Sequence, residues 1–120
     1  MTDTPDRPTI LVTLSREVDE RLYGWIAVGA EEEGIPCRLA PVEEADGADV
    51  AALAYAAARN SRLGVGVGVA SGRVAVHERH MPAGKPVITT EGKEDHVGDV
   101  YRSAGANAAR LVIGVPLQLE

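Results

Sequence analysis

Three consecutive carboxylates, Glu31, Glu32 and Glu33, stand in the string GAEEEGIPCRL, residues 29–39. The apolar spacing before them places all three in the last turn of a helix that Gly34 ends. Carboxylates there face the negative end of the helix macrodipole, at a cost of about 0.3–1 kcal/mol each when exposed. A cation would offset that cost: either a partner's basic group or a shared divalent metal such as Mg²⁺, which takes carboxylate oxygens and keeps positions open for a second contributor. At about 100° per residue the trio sweeps over half the helix circumference, so the three cannot share one ligand, though one of them can bind it. On the wheel set by Leu22, Ile26 and Ala30, Glu31 points away from the apolar stripe, Glu32 lies on its flank beside Trp25, and Glu33 falls at its end. The plain alternative is a solvated acidic turn.

Other reactive residue types form no organised catalytic site. His77 and His80 are three apart in a stretch that reads as a strand, which points them to opposite faces, and no Asp or Cys stands near them at a convincing ligand spacing. His96 lies in a charged loop. Cys37, next to Pro36 in a strand, reads as a small buried hydrophobe. Ser15, Ser61, Ser71 and Ser103 lie outside any G-x-S-x-G context. In GVGVGVA the glycines alternate with valines inside a strand instead of opening a helix, so they mark a close backbone approach, such as a helix lying tight on the sheet, and not a phosphate loop. Asn107 and Arg110 on the last helix could reach a partner or cap neighbouring backbone, and the second reading is preferred.

These residues must be positioned by alternating strands and helices. PTILVTLS reads as a buried strand over Thr9 to Leu14, with Ser15 as N-cap of a helix from Arg16 to Glu33. Val18, Leu22, Trp25, Ile26, Gly29 and Ala30 supply its apolar stripe, which Gly24 weakens a little. IPCRLAPV is the second strand. Asp46 or Asp49 caps the Ala-rich helix in ADVAALAYAAARNS. LGVGVGVASGRVAVHE alternates strictly around Ser71-Gly72, giving a hairpin of Leu63–Val69 and Arg73–Glu78. KPVITT is the fifth strand, EGKEDHVGD a charged loop, and DVYRSAGANAARLVIG the final helix, stopped by Gly114 and Pro116. This order predicts an α/β fold with a mixed sheet in which the hairpin places one antiparallel strand.

At 120 residues the chain suits a flexible leader over residues 1–8 and a single domain over 9–120. The apolar content is 45% but is mostly Ala and Val, with three Tyr, one Trp and no Phe, which lets elements approach closely. A net charge of −6 with scattered Arg and Lys argues against nucleic acid. One cysteine excludes an internal disulfide and a Cys-based zinc site. No apolar run approaches the ~20 residues of a membrane span, and MTDTPDRP is unlike a secretory leader. A soluble cytoplasmic protein is expected.

GAEEEGIPCRL, AYAAARNSRLGVGVGVASGRVAVHERHMPAGKPVI and AGANAARLVIGVP resemble, in order, the small subunit of the diol/glycerol dehydratase reactivase. The strings G-x-E-E-E-G-I-P and N-A-A-R-L-V-x-G-x-P are the most specific. The resemblance spans most of residues 24 to 117 and is weaker in the leader and from Glu91 to Val100. It implies a three-layer α/β/α sandwich with a mixed five-stranded sheet, like the dehydratase's own medium subunit. It also implies a non-enzymatic, chaperone-like role. Beside a large ATPase subunit, in an α2β2 assembly, such a chain releases damaged cobalamin from an inactivated adenosylcobalamin-dependent dehydratase by swapping with the medium subunit on the dehydratase large subunit. By motif, Glu32 would hold a Mg²⁺ shared with the ATPase subunit. The alternatives are a structural subunit related to the medium subunit, or a stand-alone small-molecule or nucleotide-binding module.

Overall fold

A computed structural model describes residues 7–40, 49–70, 72–92 and 97–119. The elements run β1 (Ile10–Leu14), α1 (Arg21–Glu32), β2 (Cys37–Leu39), α2 (Val50–Asn60), β3 (Val65–Ala70), β4 (Arg73–Glu78), β5 (Ile88–Glu91) and α3 (Val97–Ile113). They build one five-stranded sheet in the order β2-β1-β3-β4-β5. β1 pairs in parallel with both β2 and β3, while β4 is antiparallel to its neighbours β3 and β5. β4 is therefore the one reversed strand, as the hairpin in the sequence requires.

Period-two alternation decides what each face of the sheet carries. On β3, Val65, Val67 and Val69 join Val74 and Val76 of β4 and Ile10, Val12 and Leu14 of β1 in a core closed by Ile26 and Ala30 of α1 and Tyr101, Ala104 and Ala108 of α3. The other face of β3 carries Gly66 and Gly68. A Cβ on either would run into the backbone of α2 at Ala58 or Ala54, so this helix lies directly on the sheet. Val50, Leu53 and Ala54 of α2 close a smaller core with Ala70 and Ala75. The layers are thus α1 and α3, then the sheet, then α2.

Several boundaries differ from the expectation. α1 begins at Arg21, not Arg16, because the Ser15 N–H still pairs with the Val69 carbonyl at 2.9 Å and prolongs β1 into a turn. Asp19, not Ser15, meets the helix start: its Oδ1 accepts the Arg21 N–H at 2.9 Å. Trp25 is not part of the core stripe; it is 45% exposed, with its indole against Gly98. Asp49 holds the N-cap position of α2, but its carbonyl, not its side chain, accepts the Leu53 N–H at 3.0 Å. α3 starts at Val97, which puts Asp99 in its first turn, where the macrodipole favours a carboxylate. Asp46, Ser71, His96 and the end of the second expected strand lie outside the described residues.

α1 and α3 touch backbone to backbone. A Cβ on Gly29 would overlap the carbonyl of Arg102, and one on Gly105 would overlap that of Ile26. Gly24, five residues earlier on α1, faces open space. Gly29→Ala is therefore expected to destabilise the fold by about 1–3 kcal/mol through overpacking. Gly24→Ala should stabilise it by about 0.5–1 kcal/mol through helix propensity. Urea denaturation of the two variants reads the opposite signs, and shifts of the same sign would contradict the contact.

Candidate docking site at the C-terminal end of the first helix

Gly34 adopts φ +92°, its N–H donates to the Glu31 carbonyl at 2.9 Å, and the Ile35 N–H reaches back to the Ala30 carbonyl at 3.1 Å. This is a Schellman ending: the left-handed residue that only glycine adopts without penalty stops the helix and turns the chain into β2. The three glutamates are fanned out just before it.

Each carboxylate has a different environment. Glu32 projects from the outer surface of the α1/α3 layer, where both its oxygens meet Arg102 of α3. Arg102 Nε donates to Oε1 at 2.9 Å, and Nη2 donates to Oε2. Both side chains remain nearly half exposed. Glu33 lies further in, with Oε2 at 3.2 Å from Arg110 Nη2, and both side chains are about three-quarters covered. Glu31 is exposed at the shallow recess formed by Arg7, Tyr23, Gly34, Ile35, Pro36 and Cys37.

The cost of carboxylates at a helix C-terminus is thus offset within the chain for two of the three. Arg102 and Arg110 were not foreseen as the counter-ions. The signal was present: Glu32 is one turn beyond Gly29 and Arg102 one turn before Gly105, so a glycine-mediated contact between α1 and α3 brings acid and base together. The Arg102 hydrogen bonds hold the Glu32 carboxyl below the usual glutamate range, and the same bonds raise the Arg102 guanidinium.

The remaining candidates are structural. His77 is fully buried beneath Tyr55, with ring centroids 5.1 Å apart. Its Nδ1 lies 3.0 Å from the Glu78 backbone nitrogen and 3.1 Å from the Glu78 carbonyl, and its Nε2 lies 3.0 Å from the Ala83 carbonyl, contacts that pin the loop after β4. His80 is exposed and pairs with Glu78 at 2.7 Å, so the two histidines do not converge. Ser61 donates to the Thr9 carbonyl at 2.6 Å. Cys37 is buried, and burial first, then the Glu31 charge, push its thiol up to about 12, which leaves it inert. Asn107 grips the C-terminal tail through paired bonds to the Gln118 backbone at 2.9 and 2.7 Å. Arg110 Nη1 donates to the Pro116 carbonyl at 3.0 Å. Both bind neighbouring backbone, as expected.

The chain matches the family model described as dehydratase medium subunit over residues 7–118. It is 37% identical to a propanediol dehydratase-reactivating factor small subunit of Citrobacter freundii, over 81% of this chain and 79% of that one. It is 34% identical to the Salmonella typhimurium protein of the same description, over 92% and 90% of the two chains. The chain belongs to the family of dehydratase-reactivating factor small subunits. Among solved structures, a glycerol dehydratase reactivase chain superposes with a TM-score of 0.82 at 34% identity, covering 93% of this chain and 97% of that one. A diol dehydratase-reactivating factor complexed with ADP and Mg²⁺ gives 0.80, also at 34% identity, covering 95% and 100%.

A Mg²⁺ site can be tested against these residues. Glu32 offers two hard oxygens at the surface, which suits the ion. Among the described residues, however, no group of three or more His, Cys, Asp or Glu side chains could hold a metal. No helix among these residues is long and apolar enough to cross a membrane.

The Glu32–Arg102 pair has a definite pH signature. The Glu32 carboxyl is lowered in the folded chain, so its contribution is present at neutral pH and is lost as pH falls through the lowered value. The stability gap between wild type and Glu32→Gln should shrink steadily on acidification in urea denaturation at low salt. A gap independent of pH would contradict the pairing.

Proposed function

We propose that this chain is the small subunit of a chaperone-like factor that reactivates an adenosylcobalamin-dependent diol or glycerol dehydratase. In this reading the chain performs no chemistry itself. It pairs with a large ATPase subunit, in an α2β2 assembly, and binds the dehydratase large subunit transiently in place of the dehydratase medium subunit. That exchange opens a path for the damaged cobalamin to leave.

One observation carries the reading. The chain matches the medium-subunit family along nearly its whole length, while its relatives are named as small subunits of reactivating factors. A protein with the fold of one subunit and the company of another is suited to substitute for the first. Of the polar side chains that could have done chemistry, His77, Ser61 and Asn107 are engaged with backbone, which supports a binding role.

Glu32 is the residue we assign to the contact with the ATPase subunit, as a ligand of a Mg²⁺ held jointly. Glu32 would present its oxygens from the rim of α1, with the Schellman turn holding the helix end in place.

Co-purification with the large subunit of its own factor tests the assembly, and recovery of a turnover-inactivated dehydratase on addition of ATP, Mg²⁺ and fresh adenosylcobalamin tests the function. Recovery is expected only when both subunits are present. Glu32→Gln should weaken assembly in Mg²⁺ while circular dichroism shows the fold intact. A large subunit that ignores this chain would reject the reading, and undiminished affinity of the variant would reject the role of Glu32.

A further inference from the structure

At one edge of the sheet an open backbone runs beside a groove. β5 is the last strand in the order β2-β1-β3-β4-β5, and among the described residues no strand pairs with its outer side. Its inner side is set by β4: the Gly92 N–H donates to the Gly72 carbonyl at 2.7 Å, and Thr90 stands opposite Val74 in the same register. Hydrogen-bonded and non-hydrogen-bonded pairs alternate along an antiparallel ladder, so the N–H and C=O of Thr90 turn towards β4 while those of Thr89 and Glu91 turn outward. Both residues are exposed, and such an edge is a template for another strand.

The groove gives that strand a defined seat. Ile88 and Thr90 stand opposite Val76 and Val74, on the face of the sheet that carries α3. Val100 and Ser103 of α3 and Leu119 of the tail line the groove with them. The Asn107 bonds to the Gln118 backbone hold the tail wall in place, and Leu119 stays 69% exposed on it. Glu91 stands opposite Arg73 and so falls on the other face, with its carboxylate in no ion pair among the described residues. Side chains of an added strand alternate in the same way, one into the groove and the next beside Glu91. Exposed Asp99 also lines the groove, so a second copy of this chain would bring Glu91 and Asp99 against their own kind, whereas a basic segment complements them.

We propose that β5 is an edge for strand addition, which takes an extended segment of the factor's large subunit with an apolar residue in the groove and a Lys or Arg beside Glu91. The relatives are named as small subunits, which implies a large subunit as the standing partner. This inference rests on the proposed pairing of the two subunits and is independent of Glu32 and of any metal. Main-chain bonds to Thr89 and Glu91 set the register of the added strand, and its alternate side chains set the selectivity.

Hydrogen exchange of the full chain, alone and with its large subunit, reads the edge directly. The Thr89 and Glu91 amides should exchange fast in the free chain and about tenfold or more slower in the complex. Thr89→Pro removes an outward N–H without touching the ladder to β4, so it should weaken assembly about tenfold at an unchanged urea midpoint. Thr90→Pro, whose N–H faces β4, should instead lower the midpoint. Glu91→Gln should weaken assembly about two- to fivefold, and less at high salt. Amide protection in the wild-type complex decides the matter if Thr89→Pro disturbs the fold. Assembly that leaves both amides unprotected, or that Thr89→Pro and Glu91→Gln leave unchanged, overturns the proposal. So does concentration-dependent protection of these amides in the chain alone, which would assign the edge to a second copy. A large subunit that does not bind at all rejects the pairing itself, whereas binding without protection at β5 rejects only this inference.

Discussion

The backbone contact between α1 and α3 governs the rest of the outer surface. Two missing Cβ atoms, at Gly29 and Gly105, let these helices approach until the carbonyl of one lies where the other would carry a side chain. Interhelical distance depends on the residues at the crossing, and glycine on both sides gives the shortest approach. At that distance the residues one turn away on each helix meet. Glu32 finds Arg102, and further along Glu33 finds Arg110. With leucines at the crossing, the same charges would stand several ångströms further apart and solvate separately. Small residues in the core thus determine which charges pair on the surface.

The two ion pairs differ in a way that matters for exchange. Glu33–Arg110 is mostly covered, and Arg110 also ties down the Pro116 carbonyl, so separating its partners would loosen the C-terminal tail. Glu32–Arg102 is nearly half open to solvent. Exposed pairs contribute little net stability because water solvates the separated charges almost as well. Of the three glutamates, Glu32 alone combines a defined orientation with a low cost of release: Glu33 is locked, and Glu31 faces the recess beside Cys37.

Much of the architecture was legible because it rests on local rules. Strict alternation around Ser71-Gly72 marked the hairpin, and the glycines alternating with valines on β3 marked a close backbone approach, which in the structure is that of α2. Gly34 was legible as a helix terminator because a left-handed residue is needed there. The start of α1 was not, because pairing of the Ser15 N–H with β3 outweighed the capping preference of its side chain. Trp25 was misplaced for a related reason: helical spacing groups residues by angle but says nothing of what lies opposite, and opposite Trp25 is only the edge of α3 at Gly98. The arginine counter-ions depend on a contact between residues 70 positions apart in the chain. No pattern within a single helix encodes such a pairing; it follows only once the sheet order puts α1 and α3 on the same face.

That dependence on sheet order bears on how one fold can serve two subunits. The reversed strand β4 ends the run of parallel neighbours, and β5 returns the chain so that α3 falls on the face already held by α1. In this chain that strand order places α1 and α3 together as one layer on the sheet. In the proposed reading, a chain that substitutes for a medium subunit would need this layer as the shape a shared partner recognises. A chain that also answers to a second partner needs a local difference on that layer, and it must be one that can be changed without disturbing the packing below. An exposed acid at a helix end, paired with an exposed arginine above the glycine contact of the two helices, is a feature that can vary without disturbing the packing below.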